Sequence, residues 1–423
     1  MLQEELIFVG TCDISGHVRG KAFPAAELPA RAQKGVGWTH SNLMMSAFGP
    51  IFDTPFGTGG DLMIVPDPAA AARVDFADGT PPEHIMLGDL RETDGQAWTC
   101  CPRDFLRRGE AALAAAGYSM IAAFEQEFVL SGADAFPGAA YSLAALRRQG
   151  RFAEVFVAAL RAAGCEPDSF LAEYGDRQFE VTVKPAGPLA AADRGVIVRE
   201  MARGAAWRLG QRAGFSPMPN PGGAGNGVHV HMSLRDAADA PVMREASAPY
   251  GLAAPARAFC AGILAHLPAL TAITAPSPVS YLRLTPNRWA PTEMSVAVQD
   301  RGAALRVCPI FAAADEEAKA AQCHVEYRVC DAASSPYLAL GCLLFAGADG
   351  LRRELDLPPP GVPAPTLPRS LAAALDALET SEAAAAWLGP VLREAMLRHK
   401  RAEIAHVGET DPASLCARYA EVY

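Results

Sequence analysis

At 423 residues the chain is longer than one ordinary core, and ~100–200 residues per domain predicts two or three units. Half of the residues are hydrophobic and 20% charged, which excludes the disordered and fibrous classes. A net charge of −10 provides no basic footprint and excludes a nucleic-acid partner, although a few arginines and divalent cations suffice to offset nucleotide phosphates locally.

The first ten residues, MLQEELIFVG, lack the basic, apolar and cleavage-site pattern of a signal peptide. Residues 1–96 mix short β-prone runs, 6–9 and 62–65, with Gly, Pro and Asp punctuation, and they predict a small β-rich domain. Within it, residues 49–61, GPIFDTPFGTGGD, form an irregular loop that reads as a connection or as a carrier of binding residues. A second unit, 97–423, opens with an amphipathic helix whose first turn holds Pro102 and which runs to Gly117.

Residues 118–130, YSMIAAFEQEFVL, predict a strand with Glu125 and Glu127 on one face. Such pairs usually lie on solvated faces, but the apolar flanks here favour burial, and buried carboxylates need cations or donors. A helix over 144–163 follows, and then FLAEYGDRQFEVTV presents Glu173 and Glu180 on either side of a turn centred on Gly175. A long helix over 189–210, closed by glycine, delivers the chain to NPGGAGNGVHVHMSL, residues 220–234. Glycines bring bare backbone to a ligand, and alternation puts His229 and His231 on one strand face. Taken alone, this stretch reads equally as a hairpin with structural histidines.

A polar loop over 235–251 and a helical region over 252–270 precede residues 280–309, where Arg283, Arg288, Arg301 and Arg306 fall in loop and strand surroundings. Isolated arginines ordinarily sit in surface ion pairs, the expectation for Arg288. HVEYR puts Glu326 and Arg328 on one strand face; 335–351 is a buried Ala/Leu helix, 357–368 a Pro-rich connector, and the remainder helical. The most apolar late run, 336–348, falls short of the ~20 residues of a membrane helix. Ten cysteines without CxxC pairs read as reduced thiols, so a cytoplasmic protein with no membrane partner is expected.

Five glutamates and one or two histidines on β-prone runs suit Mg²⁺ or Mn²⁺ better than Zn²⁺. The added arginines point to phosphoryl transfer; an acidic metal-dependent hydrolase would explain the carboxylates but not the arginines. In this order FEQEF, EYGDRQFEV, GNGVHVHMSL, YLRL…WAP…DRGAALRV and VEYRVCDAASSPYLAL resemble the glutamine synthetase family over nearly the whole chain. The resemblance implies an α+β protein, with an N-terminal β-grasp domain (1–96) and a catalytic domain (97–423) whose antiparallel half-barrel sheet is flanked by helices. It implies ATP and two or more Mg²⁺ or Mn²⁺ ions, one held by Glu127, Glu173 and Glu180, another by Glu125, His229 and Glu326. Arg283 would bind the α-carboxylate of L-glutamate, and Arg301 and Arg328 the transferring phosphoryl group. Arg306 would support the nucleotide phosphates, His231 and Ser233 would lie near the adenosine, and Gly225 would offer backbone to the amino acid. The resemblance also implies sites between subunits of stacked rings, and so a homo-oligomer of dodecameric type.

Departures from the family pattern bear on the second substrate. Ammonia-using members carry a glutamate before Ala-Pro, whereas this chain has Trp289 before Ala290 and Pro291. An indole supplies no charge to ammonium but suits the apolar part of an organic amine, as in relatives that make γ-glutamyl amides of polyamines or alkylamines. Ala224 stands where asparagine is common, with Asn226 the candidate to compensate, and Leu355 stands where regulated members have the adenylylated tyrosine. Asp53 is the candidate for the ammonium-binding aspartate of the N-terminal domain. The expected activity is therefore ATP-dependent ligation of glutamate to an amine, organic amine over ammonia. Ordinary glutamine synthesis and a catalytically inactive regulatory or scaffold homologue are the alternatives.

Overall fold

The computed structural model describes residues 2–135, 138–312 and 315–423. The N-terminal part comprises β1 (Leu6–Cys12), β2 (Val18–Pro24), α1 (Leu28–Lys34), β3 (Val36–Thr39), β4 (Asp61–Val74) and β5 (Glu83–Glu92). Its five-stranded sheet runs β2-β1-β5-β4-β3, with β1 and β5 parallel and the other pairs antiparallel, and α1 packs on β4. Leu62 and Ile64 of β4 alternate into the core. Beyond them the β4–β5 register shifts between Pro66 and Ala71, where prolines remove ladder donors.

The catalytic part begins with α2 (Pro102–Ala115), β6 (Ser119–Ser131), α3 (Leu143–Ala162), β7 (Pro167–Ala172), β8 (Gln178–Val183), α4 (Pro188–Arg208), β9 (Arg212–Gly214) and β10 (Val228–Arg235). It continues through α5 (Ala254–Thr274), α6 (Ser280–Arg283), β11 (Val296–Val298), β12 (Leu305–Val307), α7 (Glu316–Gln322), β13 (Val325–Tyr327) and α8 (Pro336–Arg352). It closes with α9 (Leu371–Thr380), α10 (Glu382–Val407) and α11 (Pro412–Val422). The eight-stranded sheet runs β11-β12-β13-β10-β6-β8-β7, with β9 on β6, and every pair except β11–β12 is antiparallel. The path ends at β11 and β7, so among the described residues the sheet stays open.

β6 shows why one face of this sheet becomes a site. Met120, Ala122, Phe124, Gln126, Phe128 and Leu130 are buried, with α4 packed on the strand. The intervening residues, Glu125 and Glu127 among them, point to the opposite, partly open face. Behind α4, α5 packs on α8 and α9. α5 is longer and more apolar than the 336–348 run: of the described helices it alone has the length and hydropathy to cross a membrane, and it is largely buried here. It extends past residue 270 to Thr274 although Pro268 removes a donor, with Thr271 and Thr274 hydroxyls donating to the Leu267 and Leu270 carbonyls. All ten cysteines are free and buried.

Candidate active site

Strand register assembles the site. Glu127 lies opposite Glu180, Glu125 opposite His229, and His231 opposite Glu326, which in turn lies opposite Arg306. Directly opposed residues share a face, so five strands contribute to one acidic, histidine-bearing surface. His229 Nδ1 sits 2.7 Å from Glu125 Oε1 and 3.3 Å from Glu326 Oε1, and His231 Nε2 sits 3.4 Å from Glu125 Oε2. Both histidines therefore reach the same carboxylate, and the ligand atoms of Glu125, His231 and Glu326 all lie within 4.8 Å of one another. Glu326 is 1% exposed and is clasped by Arg306 Nη1 at 2.8 Å and by Arg328. Glu173, between β7 and β8, accepts a 2.8 Å bond from the Tyr141 hydroxyl.

The charges divide into two groups. Burial would raise Glu125 and Glu326, yet His229 and His231 hold Glu125 well below the usual range, and His229 and Arg328 hold Glu326 down at about 2. Burial pushes Glu127 up to about 8 and Glu180 up to about 10, with neighbouring carboxylates adding to both. A cluster of buried oxygens that repel one another is the donor set a hard divalent cation stabilises, so the residues fit Mg²⁺ or Mn²⁺.

The glycine-rich turn is held against this surface by groups that sequence reasoning passed over. Gln178 Nε2 donates to the Gly225 carbonyl and to Asn226 Oδ1, each at 2.8 Å, and lies 3.3 Å from Glu127. Arg288 is not in a surface ion pair: it donates to the carbonyls of Gly223 and Pro221, because the free carbonyls of an irregular turn need donors. Asn226 does not compensate for Ala224. It is fully buried, with Nδ2 donating to the Ser216 carbonyl and Oδ1 accepting from Gln178 Nε2, while Ala224 lines the cavity. A Cβ on Gly225 would stand 2.5 Å from Arg283 Cγ, so only glycine lets the Arg283 stem pass. Arg283 donates to the carbonyls of Val329 and Cys330, while its buried Nε has no partner among the described residues.

Two cavities meet at Glu125 and Glu180, which line both. The first, about 670 Å³, also holds Glu127, Glu173, Gly225, His229, Arg283, Trp289, Arg301 and Arg328. The second, about 620 Å³, holds Ser169, Thr182, His231, Ser233 and Phe311. Ser233 Oγ is engaged by the Cys323 carbonyl at 3.0 Å. At the mouth of the first cavity Tyr141, Tyr174 and Trp289 form a row with successive ring centroids 5.5 Å apart. Tyr141 and Trp289 both have φ +53°. Asp53 lines neither cavity and pairs with Arg398 at 3.4 Å.

A constellation of carboxylates, histidines and arginines between two cavities recurs in known proteins. The glutamine synthetase catalytic-domain model matches residues 99–415, and the glutamine synthetase N-terminal-domain model matches residues 2–98. The chain belongs to the glutamine synthetase family. Its members are ATP-dependent glutamate ligases, and this chain is an enzyme of that kind. It is 35% identical to the gamma-glutamylpolyamine synthetase GlnA3 of Streptomyces coelicolor over 96% of this chain and 91% of that one. It is 28% identical to a glutamine synthetase of Mycolicibacterium smegmatis, over 92% and 90% respectively. Among solved structures, one titled a novel glutamine synthase homolog superposes with a TM-score of 0.93 and 40% identity, covering 100% of this chain and 99% of the other. A GmaS/ADP complex superposes at 0.82 with 26% identity, over 96% and 95%. The α+β fold, with a family N-terminal domain and a family catalytic domain, is thus as the motif order implied.

Proposed function

We propose that this family member ligates the γ-carboxylate of L-glutamate to an organic amine through a γ-glutamyl phosphate, at the expense of ATP. The observation that carries the choice of amine is the row Tyr141–Tyr174–Trp289, set beside Glu173 and Asp176 at the mouth of the first cavity. Aromatic faces hold an alkyl chain and attract a second ammonium, while the carboxylates pair with it. Ammonium itself has no chain to lay along the indole of Trp289, so it forgoes the apolar part of that contact.

In this reading glutamate enters the first cavity and the nucleotide the second, so that the acceptor carboxylate and the γ-phosphate meet at Glu125 and Glu180. Arg283, which lines the first cavity and whose buried Nε has no partner among the described residues, takes the α-carboxylate, and the Gly225 backbone flanks the amino acid. Arg301, exposed at the rim, and Arg328 take the phosphoryl oxygens; Arg306 supports the nucleotide phosphates, and His231 and Ser233 border the nucleoside. Glu127, Glu173 and Glu180 would hold one divalent ion and Glu125, His229 and Glu326 another. Such ions, when bound, offset the charge on the transferring group and orient its oxygens. Arg301 and Arg328 act mainly on charge that develops during transfer, so their loss lowers kcat more than it raises KM. The amine attacks as the free base, its ammonium proton passing first to a carboxylate at the mouth outside the proposed ligand set, Asp176.

The free thiols suit the cytoplasm, and the exposed loop around Asp53 suits completion of a neighbour's site in a ring of copies, dodecameric if the family arrangement holds. Ordinary glutamine synthesis is the second reading, favoured by relatives that carry that name. Phosphate release measured with glutamate, ATP and Mg²⁺ plus single amines tests the proposal: diamines or polyamines exceeding ammonium support it, and ammonium matching every amine removes the organic-amine half. No phosphate release with any amine, despite ATP binding, would leave the inactive homologue.

A further inference from the structure

The second cavity carries a side-chain cluster of which the ligase reading uses only His231. His231, Cys308 and His324 each offer a donor atom, and these atoms all lie within 4.8 Å of one another. Cys308 Sγ is 4.0 Å from His231 Nδ1, and the two imidazoles stand 5.2 Å apart. Both imidazoles line the cavity, and the thiol lies behind them.

The far nitrogens of the two rings are already committed. His231 Nε2 faces Glu125 Oε2 at 3.4 Å, and His324 Nδ1 faces the Gln322 carbonyl at 2.7 Å. An imidazole that donates to a carboxylate or carbonyl through one nitrogen presents a lone pair on the other. This is the arrangement that orients histidine ligands around a metal. Here it leaves His231 Nδ1, beside the thiol, and His324 Nε2 as the atoms that face a metal, any proton on them leaving to solvent as the ion binds.

We propose that His231, Cys308 and His324 form a zinc site with its fourth position open to the second cavity. Zinc–sulfur and zinc–nitrogen bonds of roughly 2.3 and 2.0 Å set ligand atoms ~3.5 Å apart, so the 4.0 Å pair closes by about half an ångström. A thiolate with two imidazoles selects Zn²⁺ over the hard ions suited to the neighbouring glutamates. On binding, the sulfur–metal bond forms and the thiol proton leaves to solvent. The two ring nitrogens of His231 then tie this site to Glu125, and an ion there obstructs the cavity. The inhibitory consequence rests on the nucleotide reading of that cavity; the site itself does not.

Titrating the full-length protein with Co²⁺ tests the site, because only thiolate ligation gives an intense sulfur-to-cobalt charge-transfer band. One such band per chain is expected, displaced by Zn²⁺ and lost in both Cys308→Ser and His324→Gln. No band in the wild type, or a band that persists in Cys308→Ser, overturns the site. For the inhibitory role, phosphate release at saturating Mg²⁺ is measured against added Zn²⁺, each protein normalised to its own zinc-free rate. Half-inhibition at tenfold or more higher Zn²⁺ in Cys308→Ser supports it. Equal sensitivity in wild type and variant overturns that role while leaving the spectroscopic result standing.

Discussion

Glu127→Gln separates the site's function from its cost in stability. Glu127 accepts from the Gly227 amide at 2.8 Å, and a glutamine oxygen preserves that bond while removing the charge. Burial, with Glu173 and Glu125 adding, pushes the carboxyl to about 8 from an ordinary 4.5. An acid raised in this way favours the folded state fully below pH 4.5, and the contribution fades as pH rises toward 8. Relative to a side chain that never ionises, the metal-free wild type is then at a disadvantage of roughly 3 kcal/mol at pH 7. Metal-free Glu127→Gln should therefore melt about 2–6 °C higher than metal-free wild type near neutrality, with the gap widening from pH 5 to pH 8. Its ligase turnover should fall by ~10² or more. Thermal melts in chelator at pH 5, 6, 7 and 8, paired with phosphate release in Mg²⁺, measure both. A variant no more stable than wild type at any pH, or one with undiminished turnover, would refute the reasoning.

Other substitutions follow from the same geometry. Glu326→Gln removes the charge clasped by Arg306 and Arg328, which should lower kcat by ~10² or more and destabilise by ~3–5 kcal/mol, read by kinetics and denaturant unfolding. Gly225→Ala places a methyl 2.5 Å from Arg283 Cγ and should raise the glutamate KM at least tenfold while changing the amine KM little, as initial-rate titrations would show. Trp289→Glu should shift the amine-to-ammonium ratio of kcat/KM toward ammonium by ~10-fold or more, since it breaks the aromatic row and supplies the missing charge.

Alternation made much of the site legible. The two-residue period that put Glu125 and Glu127 on one face, and His229 with His231 on another strand, is the period the sheet uses, so the residues that share this face emerged before their neighbours were known. What alternation does not carry is register. Nothing local says that Glu127 meets Glu180 or that Glu326 meets His231: the resemblance grouped the first pair, and the second, in place of a Glu326–His229 grouping alone, came from the strand register. Arg288, Gln178 and Asn226 were misread or missed for a related reason. Their partners include backbone carbonyls in the turn or just ahead of it, which leave no charge or spacing signal in the sequence. Tyr141 and Tyr174 join Trp289 only in three dimensions, from segments far apart in the chain. His324 and Cys308 likewise gave no spacing pattern, being brought together by the β12–β13 pairing.

The organic-amine claim is tested most directly by competition in one vessel. With glutamate, ATP and Mg²⁺, and with ammonium and a panel of diamines and polyamines at equal concentrations, the product ratio read by mass spectrometry equals the ratio of kcat/KM values. The account predicts γ-glutamyl amides of a diamine or polyamine in excess over glutamine. Glutamine as the dominant product would contradict it.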